Sequence, residues 1–357
     1  MKRIAVIAPH FQEYALLLAN ALSRDARVML VIEQDRLDSE YADRVMPKSP
    51  TVEIRNVSFG SPFDALRIAL SFLRFRPSVI HIQEASGLIK SVICAVIAAL
   101  FRPFCTIALT VHDPTPHDGR DAAIAQRLHR FRAFVRRSAH VVFVHGRHCY
   151  DEYVAAYTLP GQKVVVTEHG VILAGDQTRA ETPPPLRVLS FGRMEKYKGV
   201  DVLCEAAEML SAEGLDFRLR IAGRGPELDQ FEERFTKLRE VSVANAFIPA
   251  AALIKEIEES DCVVLPYLSA TQSGVLAAAF ANGRFVIASR VGGIPDVVDD
   301  KNNGLLVPPN DPKALADAIR LVANDAELRR RLKAGASDIA KGRLNWGNIA
   351  RDLLAAY

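Results

Sequence analysis

The sequence predicts an α/β protein built from two Rossmann-like, doubly wound domains. Short β-branched runs alternate with longer segments whose apolar residues recur at helical spacing. A proline-rich stretch, residues 179–186, interrupts that alternation and reads as a linker. The length, 357 residues, is ample for two domains of about 170 each. The domains expected are an N-terminal one over 1–178, the linker, and a C-terminal one over 187–340. A final helix, 341–357, is expected to pack back on the N-terminal domain.

In the first half the expected strands are Arg3–Ala8, Val28–Ile32, Val52–Arg55, Val79–Ile82, Thr106–Val111, Val141–Val144 and Lys163–Thr167. Helical spacing marks Glu13–Ser23, Phe63–Phe75, Leu88–Leu100, Asp121–Arg137 and Gly146–Tyr157. After the prolines come strand Arg187–Phe191, helix Val200–Glu213, strand Phe217–Ala222, helix Glu227–Arg239 and strand Val241–Ala246. Helix Ala251–Glu259, strand Cys262–Pro266, helix Gly274–Asn282 and strand Phe285–Ala288 continue the pattern. Helices Lys313–Asn324, Ala326–Ser337 and Trp346–Ala356 complete it. In such folds ligands bind outside the carboxyl ends of the strands, here in a cleft between the domains.

With 49% hydrophobic and 24% charged residues, the composition is that of a globular protein with a full core. Net charge is +3; residues 1–180 hold 22 Lys and Arg against 17 Asp and Glu, too small an excess to argue for nucleic acid. Five scattered cysteines form no CxxC pair and read as reduced core thiols. The start, MKRIAVIAP, reads as a first strand and not as a signal peptide. No apolar run reaches the roughly 20 residues of a spanning helix. A cytoplasmic location is expected.

The run FGRMEKYKGVDVL, Phe191–Leu203, carries the sharpest chemistry. It lies where a strand hands over to a helix. Gly192 permits a tight turn, Arg193 brings a planar five-donor cation, and Lys198 brings a point charge beside a helix N-terminus. Two cations and a helix end at one place suit a diphosphate.

From Phe191 onward the order of motifs resembles the C-terminal domain of retaining nucleotide-sugar glycosyltransferases of the GT-B fold, the group-1 or family-4-like transferases. FGRMEKYKGVDVL matches their Gly-Arg…Lys-Gly motif, and IAGRGPEL (Ile221–Leu228) their Ala-Gly-x-Gly-Pro-Glu loop. DCVVLPYLSATQSGVLAAAFANGRFVIASRVGGIPDVV (Asp261–Val298) matches the donor block, and NNGLLVPPNDPKALADAI (Asn302–Ile319) the closing tail. The resemblance implies two Rossmann-like domains facing a central cleft. It implies donor contacts from Gly192, Gly223, Arg224, Gly225, Ile248, Thr271, Gln272, Ser273, Gly274 and Ala278, with Arg193, Lys198 and His112 as catalytic residues. In the N-terminal domain RFRPSVIHIQEA, LTVHDPTPHDG and VVVTEHGV fall where the family places strand ends. His112 falls at the family's cleft histidine, and His10, Asp113 and His117 are expected on the acceptor side.

Family members usually carry two glutamates eight positions apart in the donor block, one associated with the sugar and one with the ribose. The matching positions here are Ala270 and Ala278, and no carboxylate lies between Asp261 and Asp296. Losing a charge-assisted ribose contact would weaken donor binding by about 10- to 100-fold. Hydroxyls and backbone N–H groups of Thr271–Gly274, ahead of a helix, are expected to hold phosphate oxygens.

The resemblance implies transfer of a sugar, with retention, from a UDP- or GDP-sugar to a saccharide or lipid-linked acceptor, in cell-surface polysaccharide or glycolipid synthesis. No cofactor or metal is expected, since the chain has no Asp-x-Asp motif and protein cations can stabilise the leaving diphosphate. Arg120–Arg137 holds six arginines against one aspartate, with Leu128, Phe131 and Val135 at helical spacing. It is expected to touch anionic membrane peripherally, at the inner face. Two alternatives are a non-catalytic nucleotide- or saccharide-binding partner subunit and a nucleotide-sugar 2-epimerase.

Overall fold

The alternating runs form two wholly parallel sheets in a computed structural model of the chain, which describes residues 1–40, 48–114, 130–157, 159–175 and 185–357. The chain divides into two compact units, Met1–Gly170 with Asn345–Tyr357, and Val171–Leu344.

The first unit holds β1 (Arg3–Ala8), β2 (Arg27–Ile32), β3 (Val52–Asn56), β4 (Val79–Gln83), β5 (Thr106–Val111), β6 (Val141–His145) and β7 (Lys163–Thr167). Their order across the sheet is β3-β2-β1-β4-β5-β6-β7. Helices α1 (Gln12–Leu22), α2 (Gln34–Glu40), α3 (Phe63–Phe75), α4 (Leu88–Phe101), α5 (residues 130–138 of its described part) and α6 (Gly146–Tyr157) connect them. Because side chains alternate across a strand, Ala5, Ile7, Ile80, Ile82, Ile107 and Leu109 join α3 and α4 in one core. His81, Gln83, Thr110 and His145 point to the opposite face, where α1 lies.

The second unit holds β8 (Leu186–Arg193), β9 (Phe217–Arg224), β10 (Val241–Asn245), β11 (Cys262–Leu265), β12 (Phe285–Ser289) and β13 (Gly304–Val307), in the order β10-β9-β8-β11-β12-β13. Its helices are α7 (Val200–Ala212), α8 (Pro226–Thr236), α9 (Ala250–Glu259), α10 (Gly274–Ala281), α11 (Ile294–Val297), α12 (Pro312–Asn324) and α13 (Ala326–Lys341). A 3₁₀ turn, Lys196–Lys198, precedes α7. The central strands β11 and β12 are buried on both faces, as parallel strands between helix layers must be.

The division between units lies ahead of the expected boundary at residue 178, because Val171, Ile172 and Leu173 pack on the core of the second unit. The last helix, α14 (Trp346–Ala356), belongs to the first unit and packs against α1. There the Tyr357 hydroxyl bonds His81 Nδ1, and His81 Nε2 lies 2.7 Å from Thr110 Oγ1.

Candidate functional site

In each sheet the strand order reverses once, between β1 and β4 and between β8 and β11. The loops leaving such a pair splay apart, one to each side of the sheet, and leave a polar crevice at the carboxyl edge. In the second unit β8 and β9 run in register to Gly192↔Gly223 and Arg193↔Arg224. Both arginines are exposed, and no acid pairs with either among the described residues. The strands can end side by side because Gly223 has no side chain; a Cβ there would lie 1.9 Å from the Gly192 oxygen. A Cβ on Gly225 would lie 2.3 Å from the Met194 oxygen, so the IAGRGPEL loop is moulded on the strand end next to it. Ile248, in the loop after β10, is half-buried against the core.

Lys198 bridges the reversal. Its Nζ donates to Tyr267 Oη at 2.6 Å and stands 3.9 Å from the centre of the Tyr267 ring. Burial draws the Lys198 pKa down to about 8; Tyr197 opposes the shift and Arg193 adds to it. An ammonium so placed is still protonated near neutral pH but short of solvation, which favours an incoming anion. Tyr267, two residues past β11, was not expected at the site, although its place beyond a strand end is visible in the run LPY.

Tyr267 also lies 3.5 Å from Ser273 Oγ. Ser273 caps α10, its hydroxyl accepting the Leu276 N–H. Thr271 is buried, Gln272 has a buried Oε1 without a hydrogen bond, and Gly274 is half-buried. The Val-Gly-Gly loop presses on this segment, since a Cβ on Gly293 would lie 2.1 Å from the Thr271 oxygen. Ala270 and Ala278 are both core residues, and Ala278 has no exposed surface. α10 turns the Ala278 methyl, expected among the donor contacts, into the packed interior. One turn later Asn282 Nδ2 donates to the oxygens of Ala278 and Leu173.

In the first unit the reversal is bridged by His10, whose Nε2 contacts the oxygen and hydroxyl of Ser86. His112, one residue past β5, is buried with Nε2 3.0 Å from Gln83 Oε1, and Phe11 stacks on it at 4.1 Å. Two histidines that sequence reasoning missed join it. His145 ends β6 and His169 follows β7, with ring centres 5.0 and 6.3 Å from His112 and 5.4 Å from each other. Tyr14 of α1 packs against all three. Burial lowers the pKa of each histidine, well below the ordinary range for His112 and His145 and to about 4 for His169. The cluster is thus neutral at physiological pH, able to donate and accept hydrogen bonds but not to serve as a standing acid. Each histidine closes a β-run, which was the sequence signal available.

Asp113 follows His112 on the same loop, and Arg136 donates to the oxygens of Asp113 and Pro114. Arg136 also grips Glu84 through two bonds, at 2.6 and 2.9 Å, and Arg132 takes the second Glu84 oxygen. These two arginines of the expected basic membrane face are therefore turned inward. His117 and residues 120–129 lie outside the described residues. Among the described residues no group of three or more His, Cys, Asp or Glu is placed to hold a metal ion, and no helix is long and apolar enough to cross a membrane.

Residues 12–174 match the family described as Glycosyltransferase Family 4, and residues 185–325 match Glycosyl transferases group 1. A Salmonella typhimurium protein named for colanic acid biosynthesis, the glycosyltransferase WcaL, is 27% identical over 283 residues, 70% of this chain and 67% of that one. A D-inositol 3-phosphate glycosyltransferase of Corynebacterium urealyticum is 30% identical over 222 residues, 58% of this chain and 52% of its own length. The chain thus spans about half to two thirds of the length of these relatives. Among solved structures, HepE of Anabaena in complex with UDP-glucose superposes with a TM-score of 0.74 at 15% identity, covering 100% of both chains. Sucrose-phosphate synthase of Thermosynechococcus elongatus does so at 0.73 and 18%, also over 100% of both. Such similarities show a shared fold. With a Family 4 domain followed by a group 1 domain on that fold, the chain belongs to the glycosyltransferases of the GT-B fold.

Proposed function

We propose that the protein transfers a hexose, with retention, from a nucleotide-diphosphate sugar to a saccharide or lipid-linked acceptor of a cell-surface polysaccharide or glycolipid. The observation that carries the proposal is the placement of Arg193 and Lys198 about one strand end at the β8–β11 reversal, with a capped helix terminus, Ser273, within reach of Tyr267. Breaking a sugar–phosphate bond leaves a developing diphosphate anion. Fixed cations short of solvation lower that barrier more than mobile ones do. Lys198 supplies the desolvated charge, and the exposed forks of Arg193 and Arg224 supply planar donors for phosphate oxygens. These cations take the role that a metal ion has elsewhere. HepE, solved with UDP-glucose, supports a UDP-sugar as donor, and WcaL supports a polysaccharide acceptor.

Alanine at 270 and 278 favours a second reading, a partner subunit that binds nucleotide or saccharide without turnover. Release of nucleoside diphosphate from a panel of UDP- and GDP-sugars separates the two. Under the first, Arg193→Ala and Lys198→Ala each lower release at least tenfold with the fold intact, and EDTA leaves the wild type active. Turnover undiminished in both variants, or abolished by EDTA and restored by manganese, would overturn the assignment.

A further inference from the structure

Helix α3 is apolar on two opposite stripes. Ala65, Ile68, Phe72 and Phe75 face the core, as an amphipathic helix requires. Phe63, Leu66, Leu70 and Leu73 recur at helical spacing on the other side and are exposed, Phe63 at 77% and Leu73 at 64%. The neighbouring α4 repeats the arrangement: Ile93, Cys94, Ile97 and Ala98 are buried, while Ile89, Val96 and Leu100 are exposed. Phe104, just beyond α4, is 81% exposed. The two outward stripes meet at an open apolar pocket of about 760 Å³ between Leu73, Leu100 and Phe104, with Arg3 and Arg76 at its edge. Contiguous apolar surface of this kind on a globular protein marks a place where something docks.

Its charges select the occupant. Arg67 and Arg74 border the α3 stripe, Arg76 ends the helix and Arg102 follows α4, all exposed. The sole acid on the two helices, Asp64, is buried, with its oxygens taken by Ser58, the N–H groups of Gly60 and Ser61, and Arg67. The face is thus apolar and positive with no exposed carboxylate on either helix. A second copy docked through a two-fold axis would set these arginines against their own images. A surface that offers both hydrocarbon and negative charge satisfies both features.

We infer that α3 and α4 form the surface by which this protein lies on an anionic lipid bilayer, with the leucines and phenylalanines among acyl chains and the arginines at the headgroups. Lipid binding here does not depend on the identity of the donor or on turnover. The test is flotation of the full chain with vesicles of phosphatidylcholine alone and of phosphatidylcholine mixed with phosphatidylglycerol. Wild type floats with the anionic vesicles and is released by salt. Arg74→Gln with Arg76→Gln weakens this binding about fivefold for each charge removed. Leu70→Ser with Leu73→Ser weakens it to both kinds of vesicle. All four positions are exposed, so the variants keep the wild-type melting temperature. No flotation of wild type, or equal flotation of all variants, overturns the inference. So does a wild-type dimer in solution that Leu70→Ser with Leu73→Ser dissociates, which would make the face an interface between copies.

Discussion

Replacing Lys198 with methionine keeps an apolar stem one atom shorter and removes the ammonium that stands over the Tyr267 ring. A lysine drawn from 10.5 to about 8 by burial carries a cost on the order of 3 kcal/mol while it stays protonated. The bond to Tyr267 returns roughly 1.5–3 kcal/mol of that, as a charge-assisted hydrogen bond. Lys198→Met near pH 7 is therefore expected to be between equal to wild type and about 2 kcal/mol more stable, while nucleotide release falls at least tenfold. The pH dependence gives the stronger check. Because the folded pKa lies below the unfolded one, the unfolded chain holds the extra proton between about 8 and 10.5. Wild-type stability must gain from this group as pH rises through that window, and the variant cannot. The difference between the two proteins should shrink by about 2 kcal/mol from near pH 7 to about pH 9.5. Urea unfolding of both proteins at the two pH values measures it. A difference that is constant with pH, or a variant less stable than wild type by several kcal/mol, would show that Lys198 is not a poorly solvated cation.

Gly223→Ala puts a Cβ 1.9 Å from the Gly192 oxygen, so the strand ends must separate; a loss of roughly 1–3 kcal/mol and weakened UDP binding are expected, measured by thermal melting with and without UDP. Ala278→Glu places a carboxylate at a position with no exposed surface and should cost several kcal/mol without tightening nucleotide binding; calorimetry that found tighter UDP binding would mean α10 opens toward the donor. His81 and His169, with pKa values near 3 and 4 against an ordinary 6.5, stay neutral while the unfolded chain protonates. Stability should therefore fall as pH drops below 6.5, by about 2 kcal/mol per histidine at pH 5, and His169→Asn should lose its share of the slope in melts between pH 7 and 5.

Where the apolar pattern was sharply bounded it was legible to the residue: β1, β5, β7, α3, α6 and α14 lie where the alternation placed them. The 3₁₀ turn and the four-residue elements β13 and α11 were not separable from loop, because three or four residues hold too little of either period. The cations at the β8–β11 reversal were readable because Gly192, Arg193 and Lys198 lie within seven residues of chain, so local sequence and local structure coincide. The histidine cluster was not, since positions 112, 145 and 169 meet only through the parallel order of β5, β6 and β7. Burial was the other limit. Nothing in the string LAAAF distinguishes an alanine that replaces a binding acid from one that fills a core, and only the packing of α10 does so.

The backbone N–H of Val171 donates to the carbonyl of Leu344 at 3.2 Å. The residue that leads into the second unit and the residue that leads out of it are thus joined, and the chain then returns to complete the first unit with α14. In topological terms the second unit is an insertion, a loop of 174 residues spliced into its host between Gly170 and Asn345. A module whose two ends already touch can be lifted out and closed without stretching either neighbour. The same geometry lets one such inserted unit be exchanged for another on an unchanged host.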